Sequence, residues 1–324
     1  MNQQEETPLE QLLAAGGRLV EGLTRTVLGQ RAAAEALTAA YVAGGHALLE
    51  GVPGIGKTLL ARSLAAGLGL PFSRVQFTPD LMPADLLGTN VFDQASGDFR
   101  FVRGPIFTSV LLADEINRTP PKTQSALLEA MQEGQATIDG VAQAMSAEFF
   151  VVATQNPIEF EGTYPLPEAQ LDRFVVRIEM SAPDRQAELE LYRRAVSGEL
   201  LSWSRPALPQ ALVAPAEAAA LRGAAARVHV APELLDYLAN LTERVRASAR
   251  VELPVSPRGA LALLEMARAC ALVSGRDFAA PEDFQRFLIP CWGHRLLVSA
   301  ESELEGYTAR RILEEAMAAV EVPR

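Results

Sequence analysis

The chain has 324 residues, of which 49% are hydrophobic and 21% charged, with a net charge of −11 at neutral pH. That length is long for one compact core and predicts two domains, in a composition ordinary for a globular protein. The acidic balance argues against nucleic acid gripped on a broad basic surface, although a pore could still concentrate a few basic residues, and no stretch approaches the roughly 20 apolar residues of a membrane span.

Met1-Asn2-Gln3-Gln4-Glu5-Glu6 lacks the basic and apolar regions of a signal peptide, so a cytoplasmic location is expected. Cys270 and Cys291 lie in apolar surroundings without C-x-x-C spacing and read as reduced, buried thiols. His46, His229 and His294 are far apart in sequence and propose no ligand cluster.

Leu9, Leu12, Leu13, Leu19, Val20 and Leu23 space an amphipathic helix over residues 8–23, interrupted near Gly16-Gly17. An Ala-rich helix from Arg31 to Tyr41 delivers the chain to a strand, Ala47 to Glu50. Next comes Gly51-Val52-Pro53-Gly54-Ile55-Gly56-Lys57-Thr58, which satisfies G-x-x-x-x-G-K-[ST] and is followed by the helix-competent Leu59 to Ala66. In that strand, loop, helix order the match reads as a phosphate-binding loop. Its glycines let successive N–H groups point inward, and the helix presents its positive dipole end to the same anion. Lys57 reaches the β and γ phosphates of a nucleotide, and the Thr58 hydroxyl takes a position on Mg²⁺. The predicted nucleotide contacts here are Gly51, Pro53, Gly54, Ile55, Gly56, Lys57, Thr58 and Leu59.

Gly67-Leu68-Gly69 and Pro71 end that helix, and Ser73 to Phe77 forms a second strand. An irregular stretch, Thr78 to Gly88, precedes Asp93 to Phe101, which reads as a hairpin turning at Ser96-Gly97-Asp98 or as a long connection. Val110 to Glu115 has the pattern of a buried strand and ends in two adjacent carboxylates. A strand ending in Asp-Glu can simply be solvated, but its spacing from the phosphate loop favours a working acidic pair. Asp114 would then hold Mg²⁺, usually through water, and Glu115 would polarise the attacking water as a base.

A helix from Pro121 to Gln132 follows, burying Leu127, Leu128 and Met131. A second hairpin turns at Asp139-Gly140, and a buried strand, Phe149 to Thr154, exits through Gln155-Asn156-Pro157. Asn156 can hydrogen-bond a water or a γ phosphate there, or simply form a turn before proline. Val175 to Ile178 is the last strand, so five strands alternate with helices and imply a parallel α/β sheet covered on both faces. Beyond Pro183 the texture becomes helical, with apolar positions at Leu189 and Tyr192, at Leu234, Leu238, Leu241 and Val245, and at Leu261, Leu264 and Met266. The expected division is an α/β core over 1–183 and a smaller all-helical domain over 184–324, with a connecting loop from Ser202 to Pro209.

Taken together, these stretches resemble the MoxR family of AAA+ ATPases. The resemblance rests on Gly51 to Thr58, on Asp114-Glu115-Ile116-Asn117-Arg118 with Pro120 to Gln124, on Ala153-Thr154-Gln155-Asn156-Pro157, and on Glu161-Gly162-Thr163-Tyr164-Pro165-Leu166-Pro167-Glu168-Ala169-Gln170-Leu171-Asp172-Arg173-Phe174. The last string is the most specific. The resemblance implies an AAA+ five-stranded core with a helical lid, ATP and Mg²⁺ as cofactors, and hydrolysis in a homo-oligomeric, hexameric ring. It also implies a partner with a von Willebrand factor A domain and an unnamed client that is matured, assembled or supplied with metal.

By the same resemblance, Asn156 is the first sensor, which positions the lytic water. Arg173 is the arginine finger reaching the γ phosphate of a neighbouring subunit, with Arg118 a rival for that contact. Arg258, in Ser256-Pro257-Arg258, is the second sensor, expected on the nucleotide of its own subunit. Val27, Leu28, Gly29 and Gln30 border the adenine, and the two hairpins are the helix 2 insert and the hairpin before the first sensor. A chelatase-type motor subunit belongs to the same branch of the fold, and the Tyr164-to-Phe174 string favours MoxR over it. A nucleic-acid motor and a nucleotide-gated scaffold with negligible turnover are the readings from other classes.

Overall fold

The computed structural model describes residues 7–157, 162–199 and 208–323. Glu161, which opens the most specific string above, and residues 202–207 of the expected connecting loop lie outside the described residues.

Helices α1 (Leu9–Thr26) and α2 (Arg31–Val42) precede strand β1 (Ala47–Glu50), which runs through the glycine loop into α3 (Lys57–Leu68) and then β2 (Phe72–Gln76). A short α4 (Pro83–Leu87), within the stretch expected to be irregular, leads to a hairpin of β3 (Gly88–Asp93) and β4 (Asp98–Arg103). Then come β5 (Val110–Asp114), α5 (Pro121–Glu133), a second hairpin of β6 (Gln135–Ile138) and β7 (Val141–Ala144), β8 (Phe150–Gln155), α6 (Glu168–Leu171) and β9 (Val176–Glu179). The rest comprises α7 (Arg185–Ser197), α8 (Pro215–Leu221), α9 (Pro232–Arg246), β10 (Val251–Leu253), α10 (Pro257–Val273), α11 (Pro281–Trp292), β11 (Leu297–Val298), α12 (Ala300–Leu304) and α13 (Ala309–Ala319).

Five strands form a parallel sheet in the order β2-β5-β8-β1-β9. Their apolar runs are nearly continuous because both faces are buried, and the two-residue period sorts the side chains. Ala47, Leu49, Val110, Leu112, Phe150 and Val152 join one core with α1, α2 and α3. Leu48, Leu111, Ala113, Val151 and Ala153 join the other, with Leu127, Leu128 and Met131 of α5. At about 1.5–3 kcal/mol for each large aliphatic side chain removed from water, these two layers fix the strand ends in space.

The break expected near Gly16-Gly17 does not occur, and α1 runs unbroken. A Cβ on Gly16 would lie 3.2 Å from both Leu272 Cδ2 and Val273 Cα, so this glycine serves close approach of α10 rather than a helix end. The first core is therefore continuous from α1 and α2 into α9, α10 and α11. In the helical part, Leu234, Leu238, Leu241 and Val245 are buried as their spacing predicts, whereas α7 buries none of its residues and leaves Leu189 and Tyr192 exposed; Leu261 on α10 is exposed too. One short antiparallel pair, β10 with β11, interrupts the helices. Both cysteines are buried and free, and burial pushes each thiol up to about 12. Among the described residues, no helix is long and apolar enough to cross a membrane.

Candidate functional site

The carboxyl ends of β1, β5 and β8 converge, and the loop leaving β1 supplies the concavity. Gly54 and Gly56 have φ of 86° and 99°, in the left-handed region that glycine adopts without steric cost. A Cβ on Gly51 would strike the Ile55 side chain and come within 2.6 Å of the Met180 carbonyl oxygen, so the first glycine is required by close approach. Pro53 and Gly54 are exposed at the tip, and Ile55, Gly56, Lys57, Thr58 and Leu59 are half-buried as α3 begins. Lys57 Nζ donates to the carbonyl of Gly51, to that of Val52 at 3.5 Å and to that of Gln155 at 3.4 Å. Its ammonium thus lies between the exits of β1 and β8.

Val27 packs against this loop. A Cβ on Gly56 would meet Val27 Cγ1 at 3.1 Å, and Gln30 Nε2 donates to the Ser181 carbonyl at 2.7 Å. Gly29 faces Pro183 and Ala187. The segment Val27, Leu28, Gly29 and Gln30 therefore runs between the glycine loop and the connection from β9 to α7.

The acidic pair is held in a closed ring of five residues, linked through their side chains and one backbone N–H. Arg74 donates to Asp114 Oδ2 through Nε at 3.0 Å and Nη2 at 2.7 Å, and to Gln76 Oε1 at 2.9 Å. Gln76 Nε2 donates to Glu115 Oε2 at 2.8 Å. The Glu115 backbone N–H donates to Thr154 Oγ1 at 2.9 Å, and Thr154 Oγ1 donates to Asp114 Oδ1 at 2.6 Å. Glu115 adopts φ 58°, a left-handed backbone costing about 1–3 kcal/mol for a residue with a Cβ, and the ring around it holds that conformation. Arg118 adds a longer contact to Glu115 Oε2 at 3.4 Å.

Asn156 is buried one residue beyond Gln155, at the exit of β8. Lys57, Thr58, Asp114, Glu115 and Asn156 thus share one end of the sheet. The sequence reading missed Arg74, Gln76 and Thr154. Alternation with Val75 puts Arg74 and Gln76 on one face of β2, but only the pairing of β2 with β5 brings that face to the acidic pair.

Arg173 and Arg258 stand elsewhere. Val176 pairs with Ala47 and Val175 N donates to the His46 carbonyl, so the chain before β9 lies at the amino end of the strands. At about 3.3 Å per residue, roughly 16 Å of strand separates that level from the glycine loop. Arg173 donates to Gln132 Oε1 and to the Ala169 carbonyl, both at 3.2 Å. Arg258 Nε lies 4.0 Å from Asp172 Oδ2. The expectation that Arg258 meets the nucleotide of its own subunit does not fit this placement. Its cause is Arg295, which is buried and donates to Asp172 Oδ1 at 2.6 Å and to the Phe174 carbonyl at 2.7 Å. Packed beside Gly259, where a Cβ would meet Arg295 Cδ at 3.0 Å, it ties the start of α10 to the Asp172-Arg173-Phe174 segment.

This donor set fits a nucleoside triphosphate with a hard divalent cation. A glycine-lined loop with a lysine between strand exits suits phosphates, and one carboxylate plus one hydroxyl suits an ion that keeps waters and binds substrate oxygens. Among the described residues, no group of three or more His, Cys, Asp or Glu could by itself hold a metal.

A parallel sheet with this loop, an acidic strand end and a helical lid defines an AAA+ ATPase. Residues 46–176 match the family model described as "ATPase family associated with various cellular activities (AAA)", and residues 243–316 match an AAA lid domain. The chain is 42% identical to the uncharacterised protein YeaC of Bacillus subtilis, covering 95% of this chain and 94% of that one. It is 36% identical to Chaperone MoxR1 of Mycobacterium tuberculosis, over 95% of this chain and 82% of that one. It is 33% identical to Protein MoxR of Paracoccus denitrificans, over 87% and 88%. The crystal structure of a proposed ATPase from Cytophaga hutchinsonii superposes with a TM-score of 0.85 at 37% identity, covering 97% of this chain and 98% of that one. The chain belongs to the MoxR family of AAA+ ATPases.

Proposed function

We propose that this chain is a Mg²⁺-dependent ATPase that works as a homo-oligomeric, hexameric ring and remodels a client protein together with a partner carrying a von Willebrand factor A domain, maturing the client or supplying its metal. The observation that carries the reading is the separation of Lys57, Asp114 and Glu115 from Arg173 and Arg258, which stand at opposite ends of the sheet. One copy cannot bring both groups to one phosphate. Two neighbours in a ring can, each presenting its Arg173 and Arg258 to the glycine loop of the next.

In that arrangement the loop N–H groups and Lys57 bind the β and γ phosphates, while Val27 to Gln30 border the base. Thr58 and Asp114 would hold Mg²⁺, which when bound would neutralise phosphate charge. Glu115 orients the attacking water and accepts its proton, and Asn156 holds the same water in line. Arg173 and Arg258 of the neighbour stabilise charge on the transferring phosphoryl group, a contribution that reaches about 10³ to 10⁵ in rate. Guanidinium suits this role because it is planar and always charged. The functional division falls near Pro183, with the α/β core before it and the lid after it, acting in the cytoplasm.

The test uses Glu115→Gln protein loaded with ATP and Mg²⁺. It is expected to bind ATP, release almost no phosphate, and retain a von Willebrand factor A protein from lysate of the source organism that a Lys57→Ala control does not retain. Phosphate release at the wild-type rate would remove Glu115 from its role. Capture independent of ATP would remove the remodelling role.

A further inference from the structure

Arg74 reaches from β2 to the end of β5 and places both Nε and Nη2 on one oxygen, Asp114 Oδ2, at 3.0 and 2.7 Å. The other oxygen, Oδ1, accepts the Thr154 hydroxyl at 2.6 Å. Both sides of the Asp114 carboxylate are therefore occupied by donors. The Asp114 side chain is only 10% exposed, and a carboxylate so far removed from water needs a compensating charge.

The two sides are not equivalent. Thr154 is fully buried and its hydroxyl is held in place by accepting the Glu115 N–H, so releasing Oδ1 would orphan an interior hydroxyl donor that cannot turn to water. The Arg74 side chain is half-exposed, and its guanidinium can turn into water at small cost. Oδ2 is thus the oxygen open to exchange.

We propose that Arg74 is the resident counter-ion of Asp114, holding Oδ2 while the site lacks a divalent cation and yielding it when Mg²⁺ enters, so that Arg74 sets the Mg²⁺ concentration the site requires. The proposal rests on the reading of Asp114 as the metal carboxylate. Arg74 acts through Asp114 and is a positioning residue. A charged side chain that competes for one ligand oxygen raises the cation concentration needed to half-fill the site, without contributing to phosphate binding itself.

The test measures binding of a fluorescent, non-hydrolysable ATP analogue against free Mg²⁺ for the full chain, for Arg74→Ala, Arg74→Lys and Asp114→Asn, with an EDTA arm. Arg74→Ala is expected to reach the midpoint of its Mg²⁺ dependence at about tenfold lower Mg²⁺ than wild type, as loss of one charge-assisted competitor allows. Arg74→Lys is expected to fall between them, because it keeps the charge on a different geometry, and the EDTA arm gives each protein's metal-free affinity as its own baseline. A midpoint for Arg74→Ala equal to or above that of wild type overturns the proposal. Asp114→Asn reports separately on the site: a wild-type midpoint there overturns Asp114 as the metal carboxylate and the counter-ion with it, whereas an unshifted Arg74→Ala beside a metal-insensitive Asp114→Asn overturns the counter-ion alone.

Discussion

Thr154 Oγ1 lies 2.6 Å from Asp114 Oδ1 and donates to it, while accepting the backbone N–H of Glu115 at 2.9 Å. A single buried hydroxyl on β8 therefore aims one acidic side chain and fixes the backbone of the next. Thr154→Val keeps the shape and removes both hydrogen bonds. Leaving the Glu115 N–H unpaired is expected to cost about 1–3 kcal/mol of stability, read as a lower urea midpoint. ATP turnover should fall further than nucleotide affinity in EDTA, because the loop and Lys57 are untouched. Equal turnover in Thr154→Val and wild type would show that the hydroxyl does not set the Glu115 geometry.

The fold was legible wherever one residue pattern had one physical outcome. The apolar runs at Ala47, Val110 and Phe150 are too short for helices and read as buried strands, and the glycine loop announced its own neighbours. Gly16 was misread because sequence alone cannot tell a glycine that ends a helix from one that admits another helix, and only the presence of Leu272 and Val273 decides it. Leu189 and Tyr192 lie on an apolar face that none of the described residues covers, because periodicity reports amphipathicity and not what packs against it. The ring through Arg74 and Thr154 joins residues up to 80 positions apart, so local spacing was silent about it. The placement of Arg258 depended on Arg295, a contact across 123 positions to Asp172.

His46 gives a prediction in pH. It is fully enclosed, accepts the Val151 N–H on Nδ1 at 3.0 Å, and faces the Met131 carbonyl through Nε2 at 3.2 Å, an arrangement that suits the neutral ring. Burial, reinforced by the Arg222 guanidinium, lowers its pKa from 6.5 to about 3. The unfolded chain therefore binds a proton below pH 6.5 that the folded chain refuses. Stability from this group is complete above 6.5 and is lost as pH falls from there toward 3. Between pH 7.5 and 5.5 the loss is expected to be about 1.4 kcal/mol from His46 alone. His294, also driven down chiefly by burial, adds loss in the same direction. Urea unfolding at the two pH values should show a smaller drop for His46→Gln than for wild type, with all other titrating groups cancelling in the comparison. Equal drops would contradict a neutral buried His46.

If each ATP site is completed by a neighbouring copy, two inactive variants must restore one another when mixed. Lys57→Ala lacks its own phosphate lysine but keeps Arg173, and Arg173→Ala keeps an intact loop but offers no finger. Each alone is expected to release phosphate at a small fraction of the wild-type rate, by about 10³-fold or more for the finger. Mixed at equal concentration, they should regain activity, because some interfaces then pair an intact loop with an intact Arg173. Recovery is the expected result; a mixture no more active than the sum of its two components would rule out a site shared between protomers.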